Sequence, residues 1–147
     1  MNVKKFVYAF IAVFVLLEIT NYLVHGIILA DTYMSEELKT VFRSQEDVMG
    51  MMWLMYVMDL IWSFFFVFFF VKGYENKGIM EGLRFGLYIG LFMYLTSSFG
   101  MYTILPVPFS LALAWFIYGL IQSLLMGLIA ALIYKPKAAA VAQPAAA

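Results

Sequence analysis

The feature that most limits the fold of this chain is a set of four apolar stretches, each long enough to cross a membrane. The hydrocarbon core of a bilayer is roughly 30 Å thick and is crossed by about 20 helical residues. The stretches cover residues 6–30, 48–71, 79–105 and 109–134. Backbone groups in lipid must be hydrogen-bonded within the protein, and no stretch alternates polar and apolar residues as barrel strands do. Each stretch is therefore predicted to be a helix.

The composition indicates the same class of protein. Of the 147 residues, 65% are hydrophobic and 12% are charged, whereas soluble domains are about 45–50% apolar and about 25% charged. A chain this short cannot bury so much apolar surface in water. We therefore expect an all-α integral membrane protein with one four-helix transmembrane domain over residues 1–134. The net charge of zero lacks the basic excess that binds nucleic acid, so the expected partner is the lipid bilayer.

The distribution of basic residues predicts the orientation of the chain. Seven lysines and arginines lie in the N-terminus, the second connection and the C-terminal tail, against two in the first connection. The more basic side normally faces the cytoplasm. Both termini are therefore predicted to be cytoplasmic. If the cell has two membranes, the protein is expected in the inner one. A cleaved signal peptide is the alternative for the first stretch, but no small-residue cleavage site follows it promptly.

The connections also carry local signals. Apolar residues recur at helical spacing in the first connection, which predicts a short amphipathic helix on the outer membrane surface between the first two spans. These residues are Met34, Leu38, Val41 and Phe42. Ser44 followed by Asp47 fits a capping box that opens the second span. Residues 135–147 are Ala-rich and of low complexity, and we expect them to form a cytoplasmic tail.

Small residues recur every fourth position on the third and fourth stretches. They are Gly78, Gly82, Gly86 and Gly90 on the third, and Gly119, Ser123, Gly127 and Ala131 on the fourth. Such stripes resemble a glycine zipper, in which missing side chains let two helix backbones approach closely. The stripes are predicted to pack helices. They either pack the two spans within one subunit or mediate assembly with another copy or a partner membrane protein, and the sequence leaves both open.

Six phenylalanines crowd the end of the second stretch. They are Phe64, Phe65, Phe66, Phe68, Phe69 and Phe70. Bulky apolar side chains around nearly the whole helix predict a lipid-facing surface. A greasy site for a quinone, carotenoid or lipid is the alternative interpretation.

Polar side chains at membrane depth form the candidate site, because polar groups there are costly and are often functional. They are Glu18, Asn21, Tyr22 and His25 on the first stretch, Asp59 on the second and Gln122 on the fourth. On an α-helix, Glu18 and His25 share a face but lie about 10 Å apart along the axis. Tyr22 or a water molecule would have to connect them.

Three interpretations of this polar cluster are open. The groups satisfy one another and fix the register of the bundle. Alternatively, Glu18 and Asp59 share a proton that His25 relays outward. In the third interpretation His25 is an axial ligand to haem or chlorophyll, although no cofactor is predicted.

The sequence contains no enzyme signature. It has one histidine and no cysteine, and it lacks the motifs of zinc proteases, serine hydrolases, P-loop proteins and dinucleotide-binding folds. No catalytic residue and no metal site is therefore predicted. The leading hypothesis is a non-catalytic subunit or accessory component of a larger membrane assembly. The alternative is a small proton- or ion-coupled permease or channel that uses Glu18, Asp59 and His25.

Overall fold

The computed structural model describes residues 1–135 of the chain, so the predicted Ala-rich tail lies almost wholly outside the described residues. The described part is helical and contains no strand. Its helices are α1 (Val3–Ile28), α2 (Ala30–Tyr33), α3 (Gln45–Gly50), α4 (Met52–Lys72), α5 (Ile79–Ile104) and α6 (Phe109–Ile133). The four long helices α1, α4, α5 and α6 are long and apolar enough to span a membrane, which confirms the predicted all-helical class and the four predicted spans in length and composition.

Local sequence explains where the helices begin and end. The Asn2 side chain accepts a hydrogen bond from the Lys5 amide at 3.1 Å and caps α1. Ser44 accepts one from the Asp47 amide at 3.1 Å. Ser44 caps the short α3 and not the second span as predicted. A bend at Met51 separates α3 from α4, which forms that span. Gly78 precedes α5 with φ of 72°, a left-handed conformation that favours glycine.

The prediction of an amphipathic helix in the first connection is wrong. Within the described residues, 34–42 form successive turns rather than a helix. Leu38 is buried, and Val41 and Phe42 pack with it against Leu29 and Leu111. These apolar side chains therefore cover the end of the bundle instead of facing the membrane surface. Tertiary packing accounts for these three positions, whereas Met34, the fourth residue of the pattern, is 64% exposed.

The long helices run alternately up and down. Leu29 and Leu38 pack against Val107, so residues 29–51 and 105–108 lie at one end of the bundle, which we call the long-loop end. The Asn2 amide donates to the Tyr134 hydroxyl at 3.1 Å. The Tyr74 and Tyr134 rings lie 5.3 Å apart. The N-terminus, residues 73–78 and the end of α6 therefore meet at the opposite, short-loop end.

The apolar core lies mainly in the short-loop half of the bundle. Side chains of α1, α4 and α6 form it, with Leu17, Phe66 and Met126 among the largest that are fully buried. In the long-loop half of α4 (residues 52–61) no side chain is buried, and Asp59 alone is partly covered. This half of α4 is exposed around its whole circumference.

The backbones of α5 and α6 touch along the two small-residue stripes. A Cβ atom added to Gly82 would overlap the Gly127 carbonyl, and one added to Gly86 would overlap that of Ser123. Gly90 faces Leu120 and Ser123, with a Cβ there 2.7 Å from Leu120 Cδ1. Gly119 lies against the Tyr94 ring. The stripes thus face each other inside one chain.

Gly78 does not belong to this contact. It lies before the first residue of α5, and a Cβ added there meets no atom of residues 1–135 within 4 Å. The prediction that Gly78 packs against a helix is therefore corrected. The four-residue spacing of glycines begins one residue before α5, and Gly78 belongs to the turn that precedes this helix.

The phenylalanine run of α4 divides between exposed and core positions. Phe64, Phe65 and Phe69 are exposed, as predicted for a lipid-facing surface. Phe66 and Phe70 are buried and pack edge-on or tilted against Phe85 of α5, at 5.0 and 5.5 Å between ring centres. The prediction is therefore wrong for these two residues, which anchor α4 to the core.

Candidate functional site

Gln122, near the middle of α6, is the centre of a hydrogen-bond network between the long helices. Its amide nitrogen donates to Thr20 Oγ1 at 2.5 Å and to Asn21 Oδ1 at 2.9 Å, both on α1. Its carbonyl oxygen accepts a hydrogen bond from the Tyr94 hydroxyl of α5 at 2.8 Å. Only 7% of Gln122 is exposed. One buried amide thus joins three helices.

Asn21 extends the network to the fourth long helix. Its side-chain nitrogen donates to Asp59 Oδ2 on α4 at 3.0 Å, while its oxygen accepts from Gln122. We call Glu18, Thr20, Asn21, Asp59, Tyr94 and Gln122 the polar network. The structure brings together four of the six predicted cluster residues.

Glu18 is the one member of the polar network with a buried oxygen that has no hydrogen-bond partner among the described residues. Its carboxyl group lies within interaction distance of that of Asp59. Glu18 Oε1 is enclosed by protein atoms and receives no hydrogen bond from the described residues. Within residues 1–135, neither carboxyl group forms an ion pair with a basic side chain. Two acidic groups therefore lie together near the middle of the bundle, and no basic side chain of residues 1–135 neutralises them.

Thr20 and Tyr94 are network residues that sequence reasoning missed. The Thr20 hydroxyl donates to the Leu16 carbonyl at 2.8 Å, which leaves its oxygen free to accept from Gln122. Tyr94 lies in a π-helical segment of α5 (Leu91–Leu95), a local widening of the helix that is frequent at functional sites. The available signal was Gly119 on the stripe, whose missing side chain makes room for the Tyr94 ring.

Tyr22 and His25 lie outside the polar network. The π-helical segment Tyr22–Ile28 begins directly after Asn21 and changes the direction of the side chains that follow. Tyr22 is 67% exposed and does not connect Glu18 to His25. His25 Nδ1 instead lies 2.7 Å from the Tyr33 hydroxyl at the long-loop end. The predicted relay from Glu18 through His25 therefore has no continuous path in the described residues.

Tyr33 links the first connection to two long helices. Its hydroxyl accepts a hydrogen bond from Trp115 Nε1 of α6 at 2.8 Å. Since an indole only donates, the Tyr33 proton is available to His25. The Phe42 ring packs against both of these aromatic side chains. The centre of its ring lies 5.3 Å from that of Tyr33 and 6.3 Å from that of Trp115. Burial raises the pKa of Tyr33, and the hydrogen bond from Trp115 offsets part of the rise.

Replacing Tyr33 with phenylalanine should lower the free energy of unfolding by about 1–2 kcal/mol, because Trp115 and His25 lose their shared partner. The raised pKa adds a pH test. Above the ordinary tyrosine pKa of about 10, unfolded chains lose the proton first, so wild-type stability should fall with pH more steeply than that of Tyr33→Phe. Tyr118→Phe is the matched control, because its hydroxyl bonds to none of the described residues. Equal melting of both variants would contradict the prediction.

The two acidic residues at the short-loop end, Glu75 and Glu81, have structural partners. Buried Glu81 accepts hydrogen bonds from the amides of Glu75 at 2.5 Å and Lys77 at 2.7 Å, and so holds the turn before α5. Glu75 pairs with Lys77 and lies 4.0 Å from Arg84. The hydrogen bond from Lys77, together with its charge, lowers the pKa of the Glu75 carboxyl group. Both acidic groups at this end are thus engaged.

The arrangement offers few ligands for a metal or cofactor. Across residues 1–135, no three histidine, cysteine or acidic side chains converge. The Nδ1 atom of His25 is engaged with Tyr33, which leaves only Nε2 for an axial ligand role. No family model, curated protein or solved structure matches this chain.

Proposed function

We propose that this chain is a non-catalytic subunit or accessory component of a larger membrane assembly. It spans the cell membrane four times, with both termini in the cytoplasm, and contacts a second copy or a partner membrane protein. In a cell with two membranes it lies in the inner one, because outer-membrane spans are barrels. The polar network supports this role, because its members bond mainly to one another across four helices. Such bonds fix the arrangement of a bundle.

The observation that carries the proposal is the exposed long-loop half of α4. Nine of the ten side chains in residues 52–61 are exposed, although a helix packed in a bundle normally buries one face. Met52, Met55 and Met58 lie in this segment, and flexible methionines suit adaptable binding surfaces. A helix of a partner protein would complete the packing that α4 lacks.

The glycine stripes do not supply this assembly surface. They are occupied by the contact between α5 and α6 within the chain. Replacing Gly82 or Gly86 with leucine would therefore disturb folding before it disturbed assembly. A test of assembly needs residues that are exposed in the folded chain.

Photo-crosslinking in native membranes tests the proposal. A photoreactive residue at Met55 (50% exposed) should give one discrete higher-mass product, whereas one at Tyr8 on α1 (64% exposed) should not. Mass spectrometry of the product then distinguishes a second copy from another protein. Monomer from both positions, together with a lone monomer in native mass spectrometry from mild detergent, would overturn the proposal.

A proton-coupled permease or channel is the second candidate, favoured by the unsatisfied Glu18 oxygen beside Asp59. Two ionised carboxylates at mid-depth without a cation would be costly, so the pair is suited to hold a shared proton. In proteoliposomes this candidate predicts pH-driven flux that Glu18→Gln and Asp59→Asn each abolish while the fold persists. Glu46→Gln, at an exposed residue of the long-loop end, is the control. Wild-type flux equal to that of empty liposomes would eliminate this candidate.

A further inference from the structure

The two ends of the bundle carry opposite charge. The short-loop end has six basic residues, Lys4, Lys5, Lys72, Lys77, Arg84 and Lys135, against the acidic Glu75 and Glu81. The long-loop end has the basic Lys39 and Arg43 against five acidic residues, Asp31, Glu36, Glu37, Glu46 and Asp47. The neutral net charge of the chain therefore conceals a strong separation along the bundle.

The positive charge at the short-loop end is mostly uncompensated. Glu75 is paired with Lys77, and Glu81 is taken up by backbone amides. No carboxylate of the described residues lies within ion-pair distance of Lys4, Lys5, Lys72 or Lys135. The hydrogen bond between Asn2 and Tyr134 draws the start of α1 to the end of α6. Lys4, Lys5 and Lys135 therefore lie within three residues of this contact along the chain.

Lys72 and Arg84 flank the same end on exposed positions. Lys72 ends α4, with its Nζ atom 5.5 Å from the centre of the Phe68 ring. Among residues 1–135, the one ion-pair contact of Arg84 is that with Glu75 at 4.0 Å. Tyr88, one turn further along α5, is also exposed. Long basic side chains at the ends of spans reach the headgroup layer, where tyrosine also concentrates.

We infer that the short-loop end is a docking surface for anionic phospholipid headgroups. Unpaired lysines around the rim meet lipid phosphates, which supply the negative charge that the chain itself lacks there. The inference rests on the proposed membrane location. It adds that the chain prefers a leaflet rich in acidic lipid and is stabilised by it.

Native mass spectrometry of the detergent-solubilised full chain tests this inference. The chain is titrated with phosphatidylglycerol and, separately, with phosphatidylcholine of the same acyl chains. Wild type should bind the anionic lipid more tightly, and raised ionic strength should reduce the difference. The triple variant K4Q/K5Q/K72Q should bind the anionic lipid more weakly than wild type, by about fivefold for each of the three lysines removed. A basic residue near an anionic surface contributes about 1 kcal/mol to the binding free energy. Binding of phosphatidylcholine should not change.

The variant K39Q/R43Q is the matched control, because it removes basic residues from the long-loop end. Equal affinity of wild type for the two lipids, or an equal loss in the control, would overturn the inference. Displacement of the lipid by inorganic phosphate at the same concentration would also overturn it, in favour of a small-anion site. A chain that does not fractionate with membranes would instead refute the proposed function itself.

Discussion

Replacing Gly82 with leucine should cause the largest loss of stability, about 3 kcal/mol or more. A Cβ atom at this position meets the Gly127 backbone and the Ala131 side chain. Backbone atoms in a helix cannot move aside as the end of a flexible side chain can. Helices α5 and α6 would have to separate along their whole contact. Thermal or denaturant unfolding in detergent, followed by circular dichroism, measures the loss.

Gly100→Ala is the matched control on the same helix. A Cβ atom at Gly100 meets nothing within 4 Å, and alanine is a better helix former than glycine. This variant should be as stable as wild type or up to about 1 kcal/mol more stable. If Gly82→Leu melted like Gly100→Ala, the close contact between α5 and α6 would be refuted.

Replacing Gln122 with leucine should lower the free energy of unfolding by about 2 kcal/mol. Leucine keeps most of the volume but removes the partner of Asn21, Thr20 and Tyr94. Buried groups that lose a partner carry their full desolvation cost, although hydrogen bonds within membranes are individually modest. Unfolding in detergent measures the loss. The backbone amides of α1 and α5, the two helices bonded to Gln122, should both exchange hydrogen faster in the variant.

The neighbouring Ser123→Ala provides the control. Ser123 is as deeply buried as Gln122, but its hydroxyl has no hydrogen-bond partner among the described residues. Its removal should therefore be neutral or slightly stabilising. Equal losses for the two variants would indicate that packing volume, rather than the polar network, determines stability at this depth.

The spans were predictable because length and hydropathy depend on the chain alone. The predicted stretch 79–105 corresponds to Ile79–Ile104, and 109–134 to Phe109–Ile133. The cap at Ser44 was also predictable from local chemistry, although the helix that it opens is the short α3. The predicted start at 48 missed the bend at Met51, which no proline marks.

The burial of particular residues was not predictable from residue type. Phe65 and Phe66 are chemically identical neighbours, yet one is exposed and the other is in the core. In lipid both environments are apolar, so composition cannot distinguish the two faces of a span. In the first connection the error was of the same kind, because Leu38 and Phe42 have the spacing of a helix but pack as turns.

The polar network was predictable in its depth but only partly in its membership. Glu18, Asn21, Asp59 and Gln122 were marked by polarity at mid-span, and depth brings such groups to one level. The expected alignment with His25 assumed a regular α-helix, whereas residues 22–28 are π-helical. The sequence carries no clear signal for that change of winding, and the π-helical segment of α5 that contains Tyr94 was equally unmarked.

The touching backbones of α5 and α6 have a mechanical consequence. Two helices in such close contact cannot slide or tilt independently. They form one rigid unit, and α1 and α4 pack against it. Near the middle of the bundle, the amide of Gln122 adds two hydrogen bonds between α6 and α1 to the apolar packing of these helices. Movement of α1 and α4 relative to α5 and α6 would therefore have to break those bonds.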